Sequence, residues 1–148
     1  MGAGGRRFKS ALPDHLVDSS QLTVQKLNMA FDFEKLEVYK KAINFALKVY
    51  NVTKSFPGSE IYGLIGQIRR ASVSISLNIA EGSGRYNRGD YIQFLRIARG
   101  SIYECIPLLE ISSREKYIKE VIYKELVGEC NELAKMINGL IGSLSKDK

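Results

Sequence analysis

An all-α fold, an antiparallel up-and-down bundle of four helices, is the fold class this sequence predicts, and three observations predict it. Four stretches of roughly 20 residues repeat apolar side chains at three- and four-residue spacings, which line them up along one face of a helix. Short connections rich in Gly, Pro, Ser and Asn separate them, and short links favour antiparallel neighbours. No run alternates apolar and polar residues as a half-buried strand would. The chain of 148 residues, 45% of them hydrophobic, is enough for one modest core. We therefore expect a single bundle over residues 29–148, with helices at about 33–54, 60–81, 88–112 and 118–144.

Residues 1–28 contain Gly2, Gly4, Gly5, Pro13 and a mixed polar string without sustained periodicity, and are expected to form a flexible N-terminal extension. The first helix should start after Asp32, a good N-cap, with Glu34 in its first turn. Leu36, Tyr39, Ile43, Ala46, Leu47 and Tyr50 are its expected inner face, and Lys40, Lys41 and Lys48 a solvated outer one. Phe56-Pro57-Gly58 ends it, and Ser59 is the expected cap of the second helix.

The second helix organises the chain. Leu64, Ile65, Ile68, Ile75 and Ile79 form its apolar face, while Gln67, Arg70, Ser74, Asn78 and Glu81 recur at the same kind of spacing as an adjoining polar stripe. That stripe is expected to make interhelical or intersubunit hydrogen bonds. Gly82-Ser83-Gly84 is expected to stop the helix through left-handed or extended backbone. Asn87 and Asp90 resemble a capping box for the third helix, whose stripe is Tyr91, Phe94, Leu95, Ala98, Ile102, Cys105 and Leu109. Pro107 should kink or end that helix between Cys105 and Ser112, leaving Ser113 to Tyr117 as the third connection. The fourth helix carries Ile122, Leu126, Cys130, Leu133, Ile137, Leu140 and Leu144 at alternating spacings of four and three.

Enzymatic chemistry finds little foothold. The one histidine, His15, lies in the extension, which excludes a histidine-based triad or metal cluster within the bundle. No glycine loop is followed by Lys-Ser or Lys-Thr, and the di-metal bundles use Glu-x-x-His pairs that Glu81 and Glu104 cannot complete. Cys105 and Cys130 fall on apolar positions without metal spacing and are expected to be reduced, buried thiols. No catalytic residue, metal or cofactor is expected. No apolar run approaches a membrane span and residues 1–28 lack a signal peptide's core, so the expectation is a soluble, cytoplasmic protein.

Charge supplies the positive evidence. The net charge is +6 and the pI about 9.3, values that suit an acidic partner. Between Gln67 and Gly100 stand Arg69, Arg70, Arg85, Arg88, Arg96 and Arg99 against only Glu81 and Asp90. Arg85, Arg88, Arg96 and Arg99 are the candidate phosphate contacts, with Tyr86 and Tyr91 near the turn placed to stack on unpaired bases. A turn at 82–87 would bring Arg70 level with Arg99 and Arg85 close to Arg88. The competing assignment pairs these arginines with Glu81, Glu104 and acids of a neighbouring subunit, and for Arg70 it is preferred.

The phrases FEKLEVYKKA at 33–42, FPGSEIYGLIGQIRRASVSISLNIAEGSGR at 56–85, YIQFLRIARGS at 91–101 and LIGSL at 140–144 carry a resemblance. They resemble the bacterial four-helix-bundle family encoded in intervening sequences of 23S ribosomal RNA genes, a fold relative of the accessory variability determinants of diversity-generating retroelements. The resemblance implies a homopentameric ring, an association with RNA or a nucleic-acid-handling protein, and no known catalytic activity. Two functional expectations result: a non-enzymatic RNA-binding bundle, or a structural adaptor that docks a protein partner without touching nucleic acid.

Overall fold

The computed structural model describes Phe33 and residues 36–146, and the expectations placed on residues 1–28, Asp32 and Glu34 lie outside the described residues. Among the described residues the chain forms four α-helices and no strand: α1 Glu37–Thr53, α2 Leu64–Ser83, α3 Arg88–Arg114 and α4 Glu120–Lys146. Each helix packs on the next in sequence and α1 closes against α4, the arrangement of an up-and-down four-helix bundle. Phe45, Ile68, Ile75, Ile79, Leu95, Ile102, Leu109, Leu126, Leu133 and Ile137 are fully buried along its axis. The apolar faces expected of α2, α3 and α4 point inward, with Tyr91, Phe94, Ile122, Leu140 and Leu144 half-buried towards the ends.

The inner face of α1 differs from expectation. Val38, Ala42, Phe45, Ala46, Val49 and Thr53 face the core, while Leu47 and Tyr50 are exposed and Leu36, Tyr39 and Ile43 half-buried. Two overlapping apolar stripes compete on this helix, and packing buries the one that combines the large Phe45 ring with small Ala42. The helix also begins four residues late. Leu36 is extended (φ −69°, ψ 129°), and the Phe33 ring meets Tyr39 edge-on at 5.0 Å. The lysine face is only partly solvated. Lys41 pairs with Glu132 at 2.6 Å, and Lys48 with Glu129 at 2.8 Å and Glu125 at 3.4 Å, across the α1–α4 groove. The hydrogen bond to Glu129 holds the Lys48 ammonium charged above its ordinary range.

Glu60, and not Ser59, serves the start of α2. A 3-10 turn spans Gly58–Glu60, and the Glu60 carboxylate accepts from the Leu64 amide at 3.3 Å and from the Tyr117 hydroxyl at 3.1 Å. A Cβ on Gly63 would lie 2.6 Å from that carboxylate, so the glycine leaves room for the cap. Phe56 packs on the Tyr117 ring at 5.3 Å, tying the α1–α2 link to the α3–α4 link. Partial burial, then the bond to Glu60, push the Tyr117 hydroxyl above the usual phenol range. Beside them Arg69 donates to Thr53 Oγ1 at 2.8 Å and to the Tyr50 carbonyl at 3.4 Å, and stacks 4.6 Å over the Tyr50 ring. A guanidinium at the carboxyl end of α1 complements the helix dipole there.

Gly82 plays a different part from the one expected. No described glycine has positive φ, and Gly84 ends α2 in a right-handed conformation (φ −84°, ψ 0°). Gly82 lies buried inside α2, where a Cβ would come 2.9 Å from Phe94 Cβ and 3.2 Å from the Tyr91 carbonyl. Its value is close approach between helices. Asn87 caps α3 as expected, accepting from the amides of Gly89 at 2.7 Å and Asp90 at 3.3 Å. Pro107 neither ends nor interrupts α3, which runs on to Arg114. The proline sits on the exposed side while Cys105, Leu109 and Ser112 anchor the turns around it in the core, so only a solvent-facing backbone bond is lost. The helix ends instead at Lys116, the one described non-glycine residue with positive φ (63°), where Tyr117 N bonds Ser112 O and Lys116 N bonds Ser113 O. This double bond pattern is a Schellman stop.

The thiols of Cys105 and Cys130 are free and buried, and burial raises both, Cys130 to about 12. Buried hydroxyls are satisfied locally: Ser72, Ser76 and Ser112 donate to carbonyls one turn back. No buried side-chain nitrogen or oxygen among the described residues lacks a partner.

Two glycines of the helices should respond oppositely to alanine. Overpacking at Gly82 should lower the unfolding free energy by about 1–2 kcal/mol, whereas Gly128→Ala, with nothing within 4 Å, should raise it by up to about 1 kcal/mol. Lys116→Gly should add about 1 kcal/mol by relieving left-handed backbone. Urea unfolding followed by circular dichroism reads all three.

Candidate nucleic-acid interface

The register of α2 on α3 decides where the arginines go. Ser74 Oγ lies 2.8 Å from Ser101 Oγ, and Gly82 sits against Tyr91 and Phe94. Stepping one turn along each helix from Ser74 and Ser101 sets Arg70 level with Cys105, so the expected juxtaposition of Arg70 and Arg99 does not occur. α3 is displaced by about four to seven residues from the expected alignment, of which the continuation of α2 to Ser83 accounts for about two. In this register Glu81 lies level with Phe94 and Glu104 about ten residues further along α3, and no group of acids, cysteines and histidines among the described residues could hold a metal.

The polar stripe of α2 divides. Ser74 bridges to Ser101, and the Asn78 side-chain amide donates to Ser74 O at 2.8 Å and to its Oγ at 3.0 Å. These are hydrogen bonds within one chain. Gln67 and Arg70 are exposed, and Arg70 makes no ion pair among the described residues. Glu81 pairs with Arg85 at 3.2 Å.

The four candidate arginines also divide. Arg85 folds back onto Glu81 and over the Phe94 ring at 4.7 Å, beside the α2–α3 turn. Arg88 stands exposed in the first turn of α3. Arg96 and Arg99, three residues apart on α3, share the flank that faces α4. Arg99 Nη1 donates to Asn138 Oδ1 at 2.6 Å, and Lys135 stands three residues before Asn138 on α4. That contact gathers Arg96, Arg99, Lys135 and Asn138 into one patch. Tyr103, one turn beyond Arg99, adds an exposed ring. Arg88 precedes Arg99 by eleven residues, three helical turns, and lies on the same side.

The cations of this patch lack carboxylate partners among the described residues, as Arg70, Lys54, Lys116 and Lys119 do elsewhere, but here they are gathered on facing flanks of two helices. Lys40, Lys41, Lys48, Arg85, Arg114 and Lys124 all pair with carboxylates. Among the described residues Arg96 and Lys135 make no ion pair, and Arg99 meets only a neutral amide. Lys135 and Asn138 escaped the sequence reading because they belong to α4, and only the antiparallel fold carries them to α3. A charged residue on the polar side of a heptad helix looks like ordinary surface. Tyr91 is half-buried against Gly82, and burial raises its hydroxyl, so it is unavailable for stacking; Tyr86 is fully exposed.

With this geometry in place, comparison with known proteins is decisive for the family. Residues 34–139 match the profile of the 23S rRNA-intervening sequence protein family. The chain belongs to that family. Among solved structures it is similar to a Bacteroides thetaiotaomicron VPI-5482 protein of the S23 ribosomal protein family, described as of unknown function. The two share 28% identity at a TM-score of 0.66, over 71% of this chain and 95% of the other. No curated protein matches. Neither the family's description nor that of the Bacteroides protein names a catalytic activity. No helix among the described residues is long and apolar enough to cross a membrane.

Proposed function

We propose that this member of the family is a non-enzymatic RNA-binding protein, with the α3–α4 flank as its phosphate-contacting surface. The observation that carries the reading is the set of cations there, Arg96, Arg99 and Lys135, that no carboxylate among the described residues neutralises. Guanidinium groups two to a turn suit bidentate phosphate contacts, and Arg88 extends the row towards the α2–α3 turn. Arg85 contributes charge at the end of the row despite its exposed pair with Glu81, since such pairs are worth little in water. The family's description, as a protein of rRNA intervening sequences, favours RNA over DNA. Cytoplasmic residence belongs to the same proposal.

A second observation favours self-association. The outer face of α2 and α3 exposes Leu77 (62%), Ile97 (45%) and Ile111 (47%) near Val73, Gly100 and Pro107, with Glu104 among them, a largely apolar strip that the bundle does not cover. We propose that copies of the chain meet there in a homopentamer, the number that the family resemblance implies, with Gln67 and Arg70 at the margin. The adaptor reading would put a different protein, such as a nucleic-acid-handling enzyme, on the same face.

Anisotropy with labelled RNA tests the first part. Binding should weaken steeply with salt, and Arg96→Ala with Arg99→Ala together should reduce the slope of log affinity against log salt by about 1–2. Absence of binding to single-stranded or structured RNA at low salt would favour the adaptor. Sedimentation tests the second part: wild type should run as an oligomer at tens of micromolar, and Leu77→Asp and Ile97→Asp as folded monomers. A monomeric wild type would refute the assembly.

A further inference from the structure

The α2–α3 turn carries one side chain that the fold does not use. Gly84 ends α2, Arg85 lies across Phe94 and Glu81, and Asn87 closes the amides of α3. Between them Tyr86 is 108% exposed, with no hydrogen bond and no ring neighbour among the described residues. A turn of this kind is ordinarily made of small polar residues, and a phenol ring held in water contributes nothing to the core. The ring stands between Arg85 and Arg88, at the end of the cationic row that runs along α3 to Arg99. From Arg88 to Arg99 the rise is ~17 Å, the length of several nucleotides of extended strand.

We propose that Tyr86 is a stacking platform for an unpaired base, so that the chain takes single-stranded RNA in preference to duplex. The inference rests on the RNA-binding reading and adds the class of RNA. Every base offers a π-face, and covering an exposed ring with one recovers apolar area while Arg85 and Arg88 hold the flanking phosphates. In a duplex the bases are already stacked and paired, so the ring has nothing to cover, and only the phosphate contacts of the α3–α4 flank remain. The helix amides at the turn do not take part, since Asn87 already occupies them. The bundle supplies its own control at the other end. Tyr62 is 96% exposed in the loop from Pro57 to Gly63, which holds Glu60 and no Lys or Arg, and serves as the comparison ring.

The chain has no tryptophan, so Tyr86→Trp places a single reporter at the site. Titrating this variant with a single strand of about twenty nucleotides should quench its emission, while the matching duplex should leave it unchanged. By anisotropy, wild type should bind the single strand about tenfold more tightly than the duplex at equal salt. Tyr86→Leu should lose about tenfold on the single strand alone, with Tyr62→Leu equal to wild type. A single strand bound no better than duplex, or Tyr86→Leu equal to wild type on it, overturns the platform; in that event loss of binding on removing Arg96 and Arg99 leaves the phosphate surface standing. Failure of both RNAs to bind overturns the two readings together.

Discussion

The close approach of α2 to α3 is the constraint on which the other features depend. It is made by small residues, Gly82 beneath Tyr91 and Phe94 and Ser74 against Ser101, with Ala71 and Ala98 buried between them. Helices can come this near only where side chains are short, so the small residues set both spacing and register. Once the register is set, Arg70 lies level with Cys105 and not with Arg99, and is left on the outside. A Cβ at Gly82 would press on Tyr91 and Phe94, next to the cations in the first turns of α3.

The two ends of the bundle are held by different means. At one, Glu60 serves the α2 amide and the Tyr117 hydroxyl together, the tilted Phe56 and Tyr117 rings pack on each other, and Arg69 ties the end of α1 to α2. These contacts join links distant in sequence, and each polar member has a partner, which is what keeps such a network favourable when partly buried. The other end is a short turn closed by a single cap, Asn87, with the Tyr86 ring turned to solvent.

Charge follows the same division. Across α1 and α4 the lysines meet the acidic row Glu125, Glu129 and Glu132 and are neutralised locally. Across the α3–α4 seam Arg99 meets the neutral amide of Asn138, and Arg96 and Lys135 make no ion pair among the described residues. A net charge of +6 is thus unevenly spread, and an uneven field steers an anionic partner where a uniform one would not.

The number of helices, most of the core and the Asn87 cap were legible in the sequence by itself, because helical periodicity and capping are local and depend on residues within a few turns. The cysteines' burial followed from the same periodicity. Tertiary structure alone decided the rest. Which of two apolar stripes on α1 turned inward depended on the shape offered by its neighbours. The start of α2 at Leu64 required Glu60 to fold over Gly63, and Pro107 was carried through α3 by packing on either side of it. The candidate surface was half visible: Arg96 and Arg99 stood out as a cluster in the chain, but Lys135 and Asn138 joined them only across the antiparallel seam. Spacing along one helix specifies a face, whereas the partner of that face is specified by register, and between α2 and α3 register came from contacts of a glycine and two serines that local pattern does not distinguish from a helix stop and a polar stripe.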